Sequence, residues 1–428
     1  MCQMKSAIIL KDRVFIPDYD SHREMLEELK IKDTEENARR LFVRAELVPQ
    51  DGDIFSDVSG WKYRVDQDIL PKWYAAEVDE KRMREAVQAW VKEHVHIGKT
   101  DLDVQSGKHW VKDCTVKAYN NSTVEAYNNS TVEAYNDSTV KAYDYSAVTA
   151  CNNSTVTAYD YSTVTAYNNS TVTAYNDSAV TACNNSTVKA YDYSTVEAYD
   201  NSTVTAYNHS TVEAYDYSTV KAYGYSTVKA YGYSAVTACN NSTVEAYNNR
   251  TVTAYNNSAV KAYDYSTVTA YDNSTVTTCN NSTVEAYDNS TVKAYGYSTV
   301  KAYGYSAVTA YNNSTVEAYN DSTVKAYDYS AVTAYGYSAV TACNNSTVTA
   351  CNNSTVTAYN NSAVKAYDYS TVTAYNNSTV TACNNSTVVI LETSLAKKYN
   401  VSLFDNATLK DCKTKKIYQA GDWEFEKV

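Results

Sequence analysis

The chain has 428 residues and a formal net charge of −12. This acidic balance disfavours direct binding to the phosphates of nucleic acids. No apolar run approaches the length of a membrane span, and Met1–Asp12 lacks a signal-peptide pattern, so we expect a cytoplasmic protein with no membrane or nucleic-acid partner.

Residues 1–107 contain all three Pro of the chain and no repeat. The sequence predicts two paired strands around a tight turn, at Ala7–Leu10 and Val14–Ile16. Ser21-x-x-Glu24 and Asp33-x-x-Glu36 are capping boxes, each of which predicts the start of a helix.

Further along this segment, apolar residues alternate at Val43, Ala45 and Leu47, and again at Trp61, Tyr63 and Val65. Alternation with period two predicts two half-buried strands. A helix is expected to begin at Asp79, and its apolar stripe comprises four residues: Met83, Val87, Trp90 and Val91. We therefore predict a small α+β domain over 1–107 that folds alone and covers the first coil of the following repeats.

From Cys114 to Val388 the chain repeats the octapeptide Ser-Thr-Val-x-Ala-Tyr-Asn-Asn through 34 units. We call one octapeptide a word, so that one word is eight residues. Val holds its column without exception, whereas Thr278 replaces Ala once, and Cys114 and Arg250 replace Ser. Because side chains alternate along a strand, Ser, Val and Ala share one face, and Thr, x and Tyr share the other. We predict that the small invariant face is inside, and that short strands with tight corners form a β-solenoid.

The position after Tyr is always Asn, Asp or Gly, as at Asn120, Asp144 and Gly224. These residues tolerate a left-handed backbone at low cost. The restriction predicts a corner with positive φ once in every eight residues.

The variable centre of the word is Lys ten times, Glu seven times and Thr seventeen times. Residues one coil apart stack about 4.8 Å from each other, so opposite charges are favoured there. A coil of two words gives seven opposite pairs and one like pair, a better ratio than a coil of one word or of three. The seven pairs are Lys117–Glu133, Glu125–Lys141, Glu213–Lys229, Lys229–Glu245, Glu245–Lys261, Glu285–Lys301 and Lys301–Glu317, and the like pair is Glu197–Glu213. We predict two octapeptide strands per coil and about 17 coils over 108–391, a rod of roughly 80 Å.

Two kinds of substitution within the repeat lead to separate predictions. Arg250 stands in the inward Ser column, and we expect its side chain to escape at the corner. Seven Cys replace Tyr in the outward column, and no two of them are separated by two words, so none would stack on another. Free thiols in a reducing environment are therefore expected.

The repeat decays towards the C-terminus. Ser394, Tyr399, Asn400 and Ser402 keep its phase, which predicts one degenerate closing coil over 392–407. Residues 408–428 are expected to form a short cap in which Trp423 and Phe425 alternate as in a strand, and we group 392–428 as the C-terminal segment.

The sequence contains no phosphate-binding loop, dinucleotide turn, Cys-x-x-Cys pair or His-Glu-x-x-His motif. His94 and His96 form a close pair that would face different sides of a helix but could share a metal on a strand. We interpret them as helix-end or surface histidines, and Cys114 as a packing residue. The expectation is a protein that is not an enzyme, with no catalytic residue, cofactor or metal.

Gly224-Tyr225-Ser226-Thr227-Val228-Lys229 resembles the octapeptide of bacterial ice-nucleation proteins, Gly-Tyr-Gly-Ser-Thr-x-Thr. The resemblance implies a 16-residue coil, Thr-x-Thr rows that form an ice-like face, and Tyr ladders that mediate pairing. This chain departs from that pattern, because the row of Thr251-x-Thr253 and Thr267-x-Thr269 is interrupted by Ala235 and Glu285.

The N-terminal segment, through Val65-Asp66-Gln67-Asp68-Ile69-Leu70-Pro71 with Trp73-Tyr74 and Trp90-x-Lys92-Glu93-His94, resembles the head of octapeptide-repeat proteins of gut Firmicutes and their phages. This resemblance implies a bacterial or prophage source and supplies no activity.

Tyr occupies the outward column 27 times and a second position beside the corner twelve times. So much outward aromatic surface predicts a non-enzymatic structural or adhesive rod that associates with copies of itself. The candidate surface comprises Tyr119, Tyr127, Tyr135, Tyr143, Tyr159, Tyr167, Tyr207, Tyr215, Tyr223 and Tyr231. Two alternatives stay open: a module whose N-terminal domain binds a ligand or a protein while the repeats act as a spacer, and an ice-binding protein. A mimic of nucleic acid is disfavoured because Lys interrupts the negative charge.

Overall fold

The computed structural model describes residues 4–391 and 400–420. The fold is mainly β, with a β-solenoid of about 18 turns over residues 95–389 and a small α+β region before it. This confirms the predicted fold class. The chain divides into two compact units, Met1–Val180 and Thr181–Val428.

The first unit opens with an antiparallel sheet whose strand order is β2-β1-β3-β4. Its strands are β1 (Lys5–Leu10), β2 (Val14–Phe15), β3 (Phe42–Val48) and β4 (Lys62–Val65). The helices are α1 (His22–Glu28), α2 (Glu35–Ala38) and α3 (Ala76–His94), with short 3₁₀ turns at Gln50–Gly52 and Val58–Gly60. All four strands occur where the sequence predicted them, and Met83, Val87 and Trp90 of α3 pack on the sheet around buried Trp61.

The helix starts agree only in part with the capping boxes. Ser21 caps α1, and its hydroxyl accepts the backbone N–H of Glu24 at 3.4 Å, as expected. The second box is wrong by one residue, because Thr34 rather than Asp33 caps α2. The start at Asp79 is also wrong: α3 begins at Ala76, and the Asp79 carboxylate reaches back from the first turn to the N–H of Ala75 at 2.9 Å.

Parallel pairing begins before the expected boundary at residue 108. Three strands lacking the octapeptide word precede the repeats: β5 (Val95–Ile97), β6 (Leu102–Val104) and β7 (Lys108–Lys112). β5 pairs with β7, and β6 pairs with the first repeat strand, Thr115–Ala118. β7 pairs with the second repeat strand, Thr123–Tyr127, so that His109 stands opposite Val124 and Val111 opposite Ala126. These strands adopt the inward and outward alternation of the repeat with unrelated residues, which is why the word alone could not locate them.

Strands β8 to β42 follow every eight residues, from Thr115–Ala118 to Thr387–Ile390. Each has four residues except β9, Thr123–Tyr127. Within the first unit one sheet contains β8, β10, β12 and β14, and the other contains β7, β9, β11, β13 and β15. Each repeat residue stands opposite the same position of the second word along, as Val132 does with Val148. The 16-residue coil is therefore confirmed.

The inward and outward assignment is also confirmed. The Val and Ala columns are buried throughout, and so is the Ser column, as at Ser130 and Ser138. At most corners the buried hydroxyl is satisfied, as where Ser130 Oγ donates to the carbonyl of Tyr127 at 2.6 Å. This local bond explains why a polar residue is retained inside. Among the described residues, the exceptions in this column, with no partner for Oγ, are Ser274, Ser290 and Ser386.

The corner differs from the prediction, because two consecutive residues have positive φ rather than one. Asn120 and Asn121 have φ of 50° and 62°, and similar values recur at each later corner. The second N–H bonds to the next coil, as Asn121 N does to Asn136 O at 3.2 Å. The second position was missed because it also holds Tyr and His, which rarely adopt this conformation.

The second unit repeats this pattern in two sheets, one with β17, β19 and so on to β41, and the other with β18, β20 and so on to β42. Its last strands are β43 (Asn400–Leu403), β44 (Thr408–Asp411) and an antiparallel β45 (Lys416–Gln419). Thr379 stands opposite Asn400, and Thr387 opposite Thr408.

The predicted phase of the closing coil is wrong, because Thr379 pairs with Asn400 and Thr387 pairs with Thr408. Asn400 begins a strand instead of a corner, and the corner lies at Asp405 and Asn406, with φ of 45° and 62°. Ala363 pairs with Thr379, but Thr379 pairs with Asn400, so the last step contains five inserted residues. The expected alternation of Trp423 and Phe425 lies outside the described residues, as does the prediction for residues 392–399.

The charge pairs that led to the 16-residue coil all stand in register across neighbouring strands, including the like pair Glu197–Glu213. The ammonium and carboxylate groups approach to 3.2 Å in Lys229–Glu213 and to 3.0 Å in Lys261–Glu245. These exposed pairs contribute little stability each, but they favour the correct register.

The expectation that the Arg250 side chain escapes to solvent is wrong. Arg250 is 1% exposed, and among the described residues its three guanidinium nitrogens have no hydrogen-bond partner. Its guanidinium carbon lies 5.9 Å from the Tyr233 ring centre, and burial lowers the pKa of Arg250. Its neighbours in the column are the buried Ser234 and Ser266.

We predict that Arg250→Ser stabilises the protein, because the substitution removes a buried unpaired charge and restores the Ser that closes most other corners. An uncompensated buried charge is destabilising by about 3–5 kcal/mol. Chemical denaturation should show a free energy of unfolding that is higher by an amount of that order, with a midpoint at higher denaturant concentration. Thr278→Ala, which removes a single buried hydroxyl without a partner, should give a smaller increase; an unchanged or lower midpoint for Arg250→Ser would contradict the prediction.

Candidate functional site

The outward Tyr column forms ladders of stacked rings in both sheets. Tyr143 and Tyr159 lie 5.0 Å apart with an interplanar angle of 4°, and Tyr359 and Tyr375 lie 4.7 Å apart at 7°. Rings that stack face to face cover each other, so most residues of this column are half-buried. The column therefore presents ring edges and hydroxyl groups to its surroundings.

Some hydroxyl groups of this column donate hydrogen bonds to Glu at the centre position of the repeat. Every Glu of the repeat accepts a hydrogen bond from the Tyr two residues later, as Glu213 does from Tyr215 at 2.9 Å. The bond to Glu213, followed by burial, raises the pKa of Tyr215 to about 12. The i, i+2 spacing on one strand face is visible in the sequence and could have predicted this bond.

The twelve tyrosines at the second corner position, which we call the corner tyrosines, are far more exposed. They are Tyr145, Tyr161, Tyr193, Tyr217, Tyr225, Tyr233, Tyr265, Tyr297, Tyr305, Tyr329, Tyr337 and Tyr369. Their exposed fractions run from 55% at Tyr161 to 68% at Tyr305 and Tyr337. The sequence-based choice of surface residues named only the Tyr column, whereas the corners carry most of the open aromatic surface.

Two tyrosines of the predicted surface, Tyr127 and Tyr143, lie against the N-terminal region and do not form part of an open surface. Tyr127 packs edge-on against Phe55 with ring centres 5.5 Å apart. Tyr127 and Tyr143 both line a cavity of about 470 Å³. Among the other eight, Tyr119 stacks on Tyr135 and Tyr215 on Tyr231.

The walls of this cavity are aromatic and its floor is charged. Trp90 of α3 and Trp110 of β7 meet edge to face at 5.4 Å beside the two tyrosines. On the floor, Glu125 is 6% exposed and lies between Lys108 and Lys141, at 3.1 and 3.5 Å. The two lysines hold the pKa of Glu125 below its usual value against the opposing effect of burial.

His94 and His96 do not converge on a common point. His94 ends α3, where Nδ1 lies 2.8 Å from the carbonyl of Trp90 and Nε2 lies 2.9 Å from Asp18. His96 lies on β5, and the ring of His109 stacks between the two, at 5.4 and 5.7 Å. The three imidazoles thus form a stack that joins the end of α3 to the first strands of the solenoid.

Among the described residues, one group of potential metal ligands comes together: His22, Glu46 and Asp66. His22 Nδ1 lies 3.1 Å from the Asp66 carboxylate, and Nε2 lies 3.2 Å from the carbonyl of Ala45. Both ring nitrogens therefore face acceptor oxygens, which is the geometry of a hydrogen-bonded imidazole.

The Thr-x-Thr pairs form short rows. Thr251 and Thr253 stand opposite Thr267 and Thr269, and the row ends against Ala235 on one side and Glu285 on the other. The row of threonines therefore spans two coils at this place.

Comparisons with protein-family models, with curated proteins and with solved structures found no match. Within residues 4–391 and 400–420, no helix combines the length and apolar character needed to span a membrane. The nine cysteines in the described part of the chain are free, and burial raises the pKa of the outward thiols, such as that of Cys343.

We predict that the N-terminal region loses stability as the pH falls from about 6.5 to 4. Burial, and then the neighbouring His109, lower the pKa of His96 to about 4, whereas an unfolded histidine titrates near 6.5. The unfolded state therefore takes up the proton first, and stability that is complete above pH 6.5 declines below it. Because His96 is only half-buried, we expect a loss of about 1–2 kcal/mol.

Thermal unfolding followed by tryptophan fluorescence at pH 7 and pH 4.5 measures this loss. The His96→Gln variant is the control, because all carboxylates titrate equally in both proteins. The variant should show a flatter dependence on pH, and equal dependence in the two proteins would contradict the assignment to His96.

Proposed function

We propose that the protein is a non-enzymatic structural or adhesive repeat protein that associates with copies of itself through its outward tyrosines. The observation that supports this most is the exposure of the corner tyrosines, at 55–68% of each side chain. Single exposed aromatic residues are ordinary on a protein surface, but twelve at equivalent corner positions exceed what a monomer usually carries.

The backbone of these tyrosines strengthens the argument. Each has φ between 60° and 65°, a region that Asn adopts at low cost and that an aromatic residue adopts rarely. Asn holds the same position in many other coils, so the fold does not require Tyr there. Because the rings are mostly exposed, they gain little from burial within the chain. Stacking between adjacent coils, as in Tyr145–Tyr161 at 5.3 Å, offsets part of this cost for some of them. The unfavourable conformation of mostly exposed rings still points to a role at the surface.

Self-association predicts a mass that rises with concentration. In sedimentation equilibrium the weight-average mass should exceed the monomer value of 47.5 kDa as the concentration increases. A variant with all twelve corner tyrosines replaced by Asn should keep its fold, because Asn occupies equivalent corners, and should remain monomeric. A native protein that stays strictly monomeric over the whole range would contradict the proposal.

The cavity favours one second candidate, a module in which the N-terminal region binds a small ligand. Its volume of about 470 Å³ is typical of small-molecule sites. Trp90, Trp110 and Tyr143 would contact an apolar ring face, while the charged groups Asp20 and Glu125 would accept hydrogen bonds from hydroxyl groups. The cavity floor and walls contain two lysines and two acids, so a neutral ligand with an apolar face, such as a saccharide ring, fits best.

Titration of the full chain with glucose, maltose and cellobiose, followed by tryptophan fluorescence, tests this second candidate. A saturable change that Glu125→Gln weakens would support it. Unchanged emission with all three sugars would reject the saccharide assignment.

A further inference from the structure

Along part of the second unit, a row of corner tyrosines at each of two corners occupies every second coil. One row contains Tyr265, Tyr297 and Tyr329, and the other contains Tyr305, Tyr337 and Tyr369. Neighbouring members of a row are four words apart, which is two coils in the register of the sheets. The coils between them carry Asn281 and Asn313 in the first row, and Asp321 and Asn353 in the second. Each row therefore alternates a large ring with a short side chain.

The spacing within a row leaves room for one ring. Strands in a sheet are about 4.8 Å apart, so two coils separate the tyrosines by about 9.6 Å. A ring inserted midway would lie about 4.8 Å from each neighbour. Stacked tyrosines of this chain have centre distances of the same size, 4.7 Å for Tyr359–Tyr375 and 5.3 Å for Tyr217–Tyr233.

The second pair shows how corner rings are oriented. Tyr217 and Tyr233 occupy the corner position of adjacent coils, and their rings are nearly parallel, with an interplanar angle of 11°. Corner rings thus stack along the direction in which the coils follow one another. A ring that enters between Tyr265 and Tyr297 would meet both of them face to face, as an additional coil with Tyr would.

We propose, on the basis of the proposed self-association, that each alternating row is one half of a tyrosine zipper and that its partner is the same row of a second copy of this chain. The partner must present rings with a spacing of about 9.6 Å, and an identical row displaced by one coil does so. Tyr side chains of one copy then fill the gaps above Asn281 and Asn313 of the other, as in the interdigitated interfaces of steric zippers.

The contact area decides what kind of assembly follows. An aromatic side chain buries about 150–250 Å² when fully covered, and these rings are 63–68% exposed. Six rings from two copies would therefore bury roughly 600–1,000 Å², less than the roughly 1,200–2,000 Å² of a stable interface. One row supports weak association, and because each copy carries a row at both corners, it can bind a neighbour through each. The expected product is a reversible lateral array of copies.

Filling the gaps distinguishes a zipper from general adhesion between tyrosines. The variant Asn249→Tyr/Asn281→Tyr/Asn313→Tyr/Asp321→Tyr/Asn353→Tyr makes both rows continuous and also fills the gap between Tyr233 and Tyr265 at the first corner. Its corners tolerate Tyr, since φ at these positions is 61–64°, within the range of the existing corner tyrosines. A zipper predicts that this variant associates at least tenfold more weakly than the native chain, although it has more exposed aromatic surface.

Sedimentation velocity over a concentration series measures the association constants of the full-length proteins, with circular dichroism to verify the fold. Asp321→Asn is the control for the lost charge and should associate as the native chain does. Replacing the six tyrosines of the two rows by Asn should also weaken association at least tenfold.

Equal or tighter association of the filled variant overturns the zipper and leaves the proposed self-association in place. Unchanged association after removal of the six tyrosines overturns the zipper as well. A native chain that is strictly monomeric overturns both proposals.

Discussion

The structure depends on parallel hydrogen bonding between each strand and the second strand along the chain. Almost every repeat strand has only four residues, so it contributes few hydrogen bonds to the next coil, and the interior is filled almost entirely by Val, Ala and Ser. A single coil of this kind cannot bury enough apolar surface to compensate for the entropy lost on ordering it. Its stability comes from neighbours, and this explains why the same register is maintained by every column: Val on Val inside, Tyr on Tyr outside, and Asn on Asn at the corners.

The corner makes this register possible, because the chain reverses there with two left-handed residues. Asn and Asp satisfy that requirement and also bond to one another, as Asn168 Nδ2 does to Asn152 Oδ1 at 3.2 Å. The bond has a direction: in Asn176–Asp160 and Asn208–Asp192 the later residue donates and the earlier one accepts. Asp can only accept, so a corner Asp is well placed where Asn follows one coil later. Tyr at the second corner position contributes nothing to this ladder, which is why its presence there requires another explanation.

The interior tolerates departures less well than the surface does. Arg250 and Thr278 occupy columns that elsewhere hold Ser and Ala, and both retain buried polar atoms without partners. In a solenoid, however, such a defect acts mainly on the adjacent coils, because each coil contacts only its neighbours. The register is therefore preserved on both sides of Arg250, where Thr251 still stands opposite Thr267 and Ala235.

The sequence by itself determined the solenoid, the coil length and the inward face, because the strict period and the alternation repeat 34 times and the eight charged pairs at two-octapeptide spacing are visible in it. It also indicated the strands of the N-terminal region and the abundance of outward Tyr. Only the tertiary structure decided where pairing begins at Val95, how five inserted residues shift Asn400 into a strand, and that Arg250 stays inside. It also decided which tyrosines are covered and which are open, since Tyr127 lies under Phe55 while Tyr297 is 65% exposed. The physical reason is that burial and ring stacking depend on neighbours distant in the chain, which an eight-residue word does not specify.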